Sequence, residues 1–177
     1  LDRKYAEAQL VHRIDKDTSG CLIVALKKSI LRQMHKEIRN KQVDKIYTAV
    51  VKGNWPKDLQ KLTLPIKKEN LKSGERFVRV NNEGKLSETE FKIISSGQSN
   101  SLIRAKIVTG RTHQIRVHSS YQGHPILGDL KYGDPVYNKQ QQSKGLKRML
   151  LHAESINFFN LGIEQLVPAP SIFKEYV

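Results

Sequence analysis

The middle of the chain constrains the fold most, because residues 43–108 form a succession of short strand-like segments punctuated by turn residues. In VDKIYTAVVKG (43–53), Ile46, Thr48 and Val50 alternate with Lys45, Tyr47 and Ala49, and Gly53 ends the segment before Trp55-Pro56. ERFVRV (75–80), SETEFKII (87–94) and SLIRAKIV (101–108) follow, separated by Asn- and Gly-rich turns, and MLLHAESINF (149–158) supplies a later strand. Ahead of them, CLIVALKK (21–28) is a strand-like apolar run opened by the turn-forming DTSG. Ser29 then stands where a helix N-cap belongs, with Leu31, Met34 and Ile38 at helical spacing and Asn40 at the close. A second helix is expected over HQIRVHSSYQ (113–122), capped by Thr112 and ended by Gly123, with Pro125 just beyond. Residues 134–147 read as a polar loop. The expectation is an α+β fold: a mostly antiparallel mixed sheet with short flanking helices, in one domain spanning residues 1–177.

Composition removes several function classes. A single Cys can form neither an internal disulfide nor a Cys-based zinc site. No apolar run reaches roughly 18 residues, and LDRKYAEAQL has no signal-peptide pattern, so a cytoplasmic protein with no membrane partner is expected. Against 17 Asp and Glu stand 31 Lys and Arg, a net charge of +14, the footprint of a nucleic-acid binder. The layout says more than the sum. Phe91 to Gly128 contains no Asp or Glu but carries Lys92, Arg104, Lys106, Arg111 and Arg116, with His113, His118 and His124. Pro135 to Ala153 is also free of acids and holds Lys139, Lys144, Lys147 and Arg148. A polyphosphate-facing surface needs such stretches, since each carboxylate would repel a phosphate. Residues 29–46 instead mix Lys36, Glu37, Arg39, Lys41, Asp44 and Lys45, the pattern of a solvated face.

Two motifs concentrate chemistry. HRIDKDTSG (12–20) opens like a calcium loop, but position twelve counted from Asp15 is Leu26 where a bidentate Glu is needed. Asp17 and Ser19 read as turn chemistry. Asp15 differs, having Arg13 two residues earlier on the same face of an extended segment; a carboxylate among cations stays ionised, as a nucleophile or base requires. TGRTHQIRVH (109–118) lacks the phosphate-loop pattern, and its two His are five apart with no Glu after the first, so it is no helical zinc site. Arg111 with the helix N-terminus could hold a phosphate, whereas Arg116, on the same face as His113, could reach a carboxylate from another segment or make a structural ion pair. Tyr47 shares a strand face with Lys45, which suits base stacking as well as a core position. Cys21 reads as a small packing residue.

HRIDKDTSG, K-x-Y, GRTHQIRVH, GHPILGDLKYG and LLHAE, in this order and spacing, resemble the RluA-type RNA pseudouridine synthases from about Val11 to the C-terminus. LKSGERFVRV and GKLSETEF are most similar to the branch acting on large-subunit ribosomal RNA. The resemblance implies that Asp15 is the catalytic aspartate, Arg116 its partner and Tyr47 the ring against the target base. It also implies a substrate-binding set of Arg13, Arg111, His113, Ile115 and Leu151, the last as apolar floor under the uracil. Ile14 departs from the usual Leu. Family members carry an earlier strand and many carry an S4-like RNA-binding domain; the chain starts with Leu just before this motif, so a catalytic-domain fragment is expected.

The implied reaction converts uridine to pseudouridine without cofactor or metal, in a monomer whose partner is large-subunit ribosomal RNA. The uridine leaves its stack, because C1′–N1 is otherwise out of reach, and the uracil is rejoined through C5. Three routes suit the residues: attack of Asp15 on C1′, its addition to the ring, or removal of the 2′ proton to give a glycal. A non-catalytic RNA-binding or ribosome-assembly module is the alternative. A metal-dependent nuclease is disfavoured, since no carboxylate cluster accompanies Asp15 and Asp17.

Overall fold

The computed structural model describes Tyr5, residues 8–70 and residues 76–177, apart from the side chains of Asn70 and Arg76. The first 4 residues and the LKSGE part of the LKSGERFVRV motif therefore lie outside the described residues. The elements run β1 (Gln9–Leu10), β2 (Ser19–Gly20), β3 (Val24–Ala25), α1 (Lys28–Arg39), β4 (Val43–Lys52), β5 (Lys61–Asn70), β6 (Arg76–Val80) and β7 (Lys85–Ser96). Then come β8 (Asn100–Ile107), α2 (Gln114–Tyr121), α3 (Pro135–Ser143), β9 (Leu151–Phe158), β10 (Ile163–Leu166) and α4 (Ile172–Glu175). The expected α+β class holds. An eight-stranded sheet in the order β10-β9-β4-β8-β7-β5-β6 is antiparallel along this path, and β2 joins β9 in parallel.

β4 is the hinge of the architecture, paired with β8 on one side and β9 on the other. Its pairing with β9 shifts register between Ile46 and Tyr47, so that Ile46 opposes Ser155 and Tyr47 opposes Ala153. The extra residue is Glu154, and such a bulge re-aims neighbouring side chains. Under this part of the sheet lies a core of Tyr47, Ala49, Val51, Ile103, Ala105, Ile115 and Leu151. A second core, with Met34, Val43, Ile156 and Phe158, is covered by α1.

Several local expectations need correction. CLIVALKK is not a continuous strand: only Val24–Ala25 pairs, with β1, while the turn residues Ser19 and Gly20 form the strand against β9. Gly20 has φ +106, and a Cβ there would lie 2.2 Å from the Ala153 carbonyl oxygen, so only glycine lets β2 approach. The first helix starts at Lys28, with Lys27 at the cap and no capping side chain, so Ser29 lies within it. Glu37 is buried rather than solvated and accepts from Asn160 Nδ2 at 2.8 Å. β5 went unanticipated because Pro65 interrupts KLTLPIKKEN; the Pro sits just before the pairing with β6 begins, where its missing N–H costs nothing. Residues 135–143 are helix, not loop. Asp134 caps it by accepting from Tyr137 N at 2.9 Å and Pro135 opens it, while the polar sequence VYNKQQQS hides any apolar period.

No helix among the described residues is long and apolar enough to cross a membrane.

Candidate active site

The segment between β1 and β2, the end of β8 and the start of α2 enclose a cleft of about 480 Å³ beside the bulged part of β4. Its floor is apolar: Tyr47, Ile115 and Leu151 line it and belong to the core beneath. Tyr47 is thus both the core tyrosine and the cleft ring that the sequence left as alternatives. Burial, then the negative charge of Asp15, pushes its hydroxyl up to about 12, so it stays a neutral phenol.

Asp15 stands at the mouth. The Arg116 Nη1 donates to its Oδ2 at 3.1 Å, and its side chain is 16% exposed. The remaining fork of Arg116 is already occupied: Nε and Nη2 donate to Asp129 Oδ2 and Oδ1, both at 2.8 Å. Asp129 is buried and also accepts from the backbone N–H groups of Lys131 and Tyr132. Burial opposes the charge of Arg116, but bonds and attraction from Asp129, then Asp15, hold the guanidinium above its ordinary range. Burial likewise opposes the Asp129 charge, and Arg116 outweighs it, keeping that carboxyl below its ordinary range. The Tyr132 ring lies 5.0 Å from the Arg116 guanidinium carbon and completes the cage.

His113 caps α2 in the left-handed region with φ 54, without a side-chain cap bond, so Thr112 is not the cap. A non-glycine residue held there is uncommon, and this backbone turn brings the ring toward Asp15. Its Nε2 is 3.9 Å from Asp15 Oδ1, beyond hydrogen-bond range. Tyr132 Oη accepts from Val78 N–H and lies 2.7 Å from His113 Nδ1. Burial, with Arg116 and Lys131, draws His113 below its ordinary value against the pull of Asp15.

The loop before α2 is built by Gln114, whose Oε1 accepts from Thr109 Oγ1 and Arg111 N and whose Nε2 donates to Glu88 O and Thr89 Oγ1. Behind it, His118 is fully buried. Thr89 Oγ1 lies 2.9 Å from Nδ1, and Ser87 Oγ 2.8 Å from Nε2. His118 is therefore part of the scaffold, although its motif placed it beside His113.

Asp15, Arg116, Tyr47, His113, Ile115 and Leu151 thus converge. Arg13 and Arg111 line the same cleft but stay exposed; Arg13 makes no ion pair with a described residue, and Arg111 Nε only reaches Leu86 O at 3.5 Å. The Gln114 side chain takes the backbone N–H of Arg111, just ahead of the helix. Asp17 is exposed in a turn closed by Thr18 N–H donating to Asp15 O at 3.0 Å, and Ser19 Oγ lies 2.8 Å from His152 Nδ1. Sequence reasoning missed Asp129 and Tyr132. Both lie in GHPILGDLKYG, where an acid directly follows the first acid-free stretch.

The RNA pseudouridylate synthase family matches residues 1–121, and the chain belongs to that family. It is 49% identical over 150 residues to ribosomal large subunit pseudouridine synthase C of Haemophilus ducreyi, covering 85% of this chain and 47% of that protein. The protein of the same name from Escherichia coli K12 is 46% identical over 161 residues, covering 90% and 50%. The chain thus spans about half the length of the curated relatives it matches. Among solved structures, human RNA pseudouridylate synthase domain containing 1 superposes with a TM-score of 0.77 at 27% identity, covering 92% of this chain and 69% of that one.

Proposed function

We propose that the chain isomerises uridine to pseudouridine in large-subunit ribosomal RNA, with Asp15 as the catalytic carboxylate. One observation carries this reading: a single carboxylate at the mouth of an apolar-floored cleft, aimed by a guanidinium that is itself fixed from behind. The reaction breaks C1′–N1, forms C1′–C5, releases the C5 proton and returns a proton to N1. A flat uracil has to turn during that exchange, and a floor of Tyr47, Ile115 and Leu151 holds its faces by dispersion without fixing its rotation. Arg116 orients Asp15 through the Nη1 bond to its Oδ2. His113 presents its Nε2 at the same mouth, and Arg13 and Arg111 at the rim suit the phosphates on either side of the extruded nucleotide. The substrate class follows the names of the relatives and the two acid-free basic stretches.

The test is to map pseudouridines in large-subunit RNA after incubation with this chain and with Asp15→Asn. New pseudouridines with the wild type alone support the reading. Equal RNA binding by both, with no pseudouridine from either, would assign the chain to a non-catalytic RNA-binding role.

A further inference from the structure

Asp15 lies where two grooves meet. The second groove, of about 550 Å³, starts from Asp15, Arg13, His113 and Arg116 and runs between Phe77 and Lys131. A depression of about 440 Å³ continues past Lys16 and Asp17 to Lys147 and Arg148. Leu130 lines both, and at 84% exposure it is the most exposed large apolar side chain among the described residues. A singly exposed leucine is ordinary on a protein surface. This one has a rigid mount. The preceding Asp129 is clamped by Arg116, accepts from the N–H groups of Lys131 and Tyr132, and its carbonyl accepts from Gly133 N and Asn138 Nδ2. The Leu130 backbone is therefore fixed relative to Asp15 through one guanidinium. Packing does not account for an apolar side chain held out on the divide between two depressions that carry exposed Arg13, Lys16, Lys147 and Arg148 against only Asp15 and Asp17.

We propose that this track takes the RNA strand on one side of the target uridine, with Leu130 as an apolar wedge against the base next to the extruded nucleotide and Lys147 and Arg148 on phosphates beyond it. Turning a nucleotide out uncovers the face of its neighbour, and an apolar wedge covers that face more favourably than water does. The proposal rests on the isomerase reading and extends it to flanking nucleotides. It makes Leu130 a residue of substrate distortion and Lys147 and Arg148 residues of affinity.

The experiment uses the whole chain and a short RNA with C5-tritiated target uridine, and a second RNA with 2-aminopurine beside the target. Leu130→Ala should lower kcat/KM for tritium release about five- to tenfold, with Leu130→Met restoring most of it. In an Asp15→Asn background, Leu130→Ala should also reduce the 2-aminopurine fluorescence change at saturating RNA. Lys147→Glu with Arg148→Glu should weaken binding and flatten its salt dependence. Wild-type tritium release together with unchanged rate and fluorescence in Leu130→Ala overturns the wedge and leaves the isomerase reading standing. No tritium release from the wild type overturns the isomerase reading, while the binding and fluorescence arms still decide the track. Unchanged RNA binding in the double charge reversal assigns the groove to another partner and overturns the proposal.

Discussion

Arg104 and Arg116 make the same forked contact with a carboxylate and differ in what surrounds it. Arg104 donates through Nε and Nη2 to Glu154 at 2.8 Å each, and Arg116 does so to Asp129 at the same distances. The Arg104 side chain is 43% exposed, whereas Arg116 and Asp129 are 7% and 1% exposed. Glu154 is closed off by the Thr48 hydroxyl, so that pair fastens β4, β8 and β9, and among the described residues Arg104 pairs with no further carboxylate. Arg116 has a third nitrogen on Asp15 at the cleft. A forked pair is therefore ordinary fastening. What distinguishes a site is a second carboxylate, at a cavity, taking the nitrogen that the first leaves over.

The largest expected effect breaks this contrast at its base. Asp129→Ala leaves a buried guanidinium without its anchor and should cost about 3–5 kcal/mol in denaturant unfolding. Glu154→Ala, at a partly solvated pair, should cost far less, and equal losses would mean that burial does not separate the two pairs. A second contrast lies within α2. His118, pushed down to about 4 by burial, is depressed in the folded state relative to about 6.5 unfolded. The unfolded chain then binds the extra proton as pH falls between these values. Its contribution is fully present above about 6.5 and is lost toward 4, an effect of about 3 kcal/mol. His118→Gln should flatten the pH dependence of the unfolding midpoint, and an unaltered slope would contradict the assignment.

Arg116→Lys removes the planar fork but keeps a charge. It should lower kcat on the order of 100-fold while RNA affinity changes less than about threefold. An equal loss in both would mean that Arg116 only meets phosphate. The smallest effect belongs to the other pair: Arg104→Lys should leave kcat unchanged and cost no more than about 1 kcal/mol of stability.

The sheet was legible in the sequence because its strands are short runs rich in β-branched residues between turn residues; β7 alternates between buried and exposed positions, whereas β4 and β8 are buried over most of their length. β5 and α3 were not. Pro65 masks the first, and a helix fastened by polar Asn138 and Gln141 shows no apolar period in the second. At the site, Asp15, Arg116 and Tyr47 stood out in motifs whose order matched a known family. Periodicity says nothing of which carboxylate a guanidinium prefers. Arg116 meets Asp15 across 101 positions and Asp129 across 13, and only the folded chain reveals that it takes both. His113 and His118 look equivalent in TGRTHQIRVH; the left-handed turn at His113 sends one to the cleft, and the next helical turn buries the other.

The central claim is that Asp15, and not its neighbour two residues on, carries the chemistry. Tritium release from C5-labelled uridine, at RNA concentrations that saturate both variants, separates Asp15→Asn from Asp17→Asn. Release by Asp15→Asn should fall on the order of 10⁴-fold with RNA binding intact, and Asp17→Asn should keep a near wild-type rate. Turnover by Asp15→Asn at close to the wild-type rate would contradict that claim.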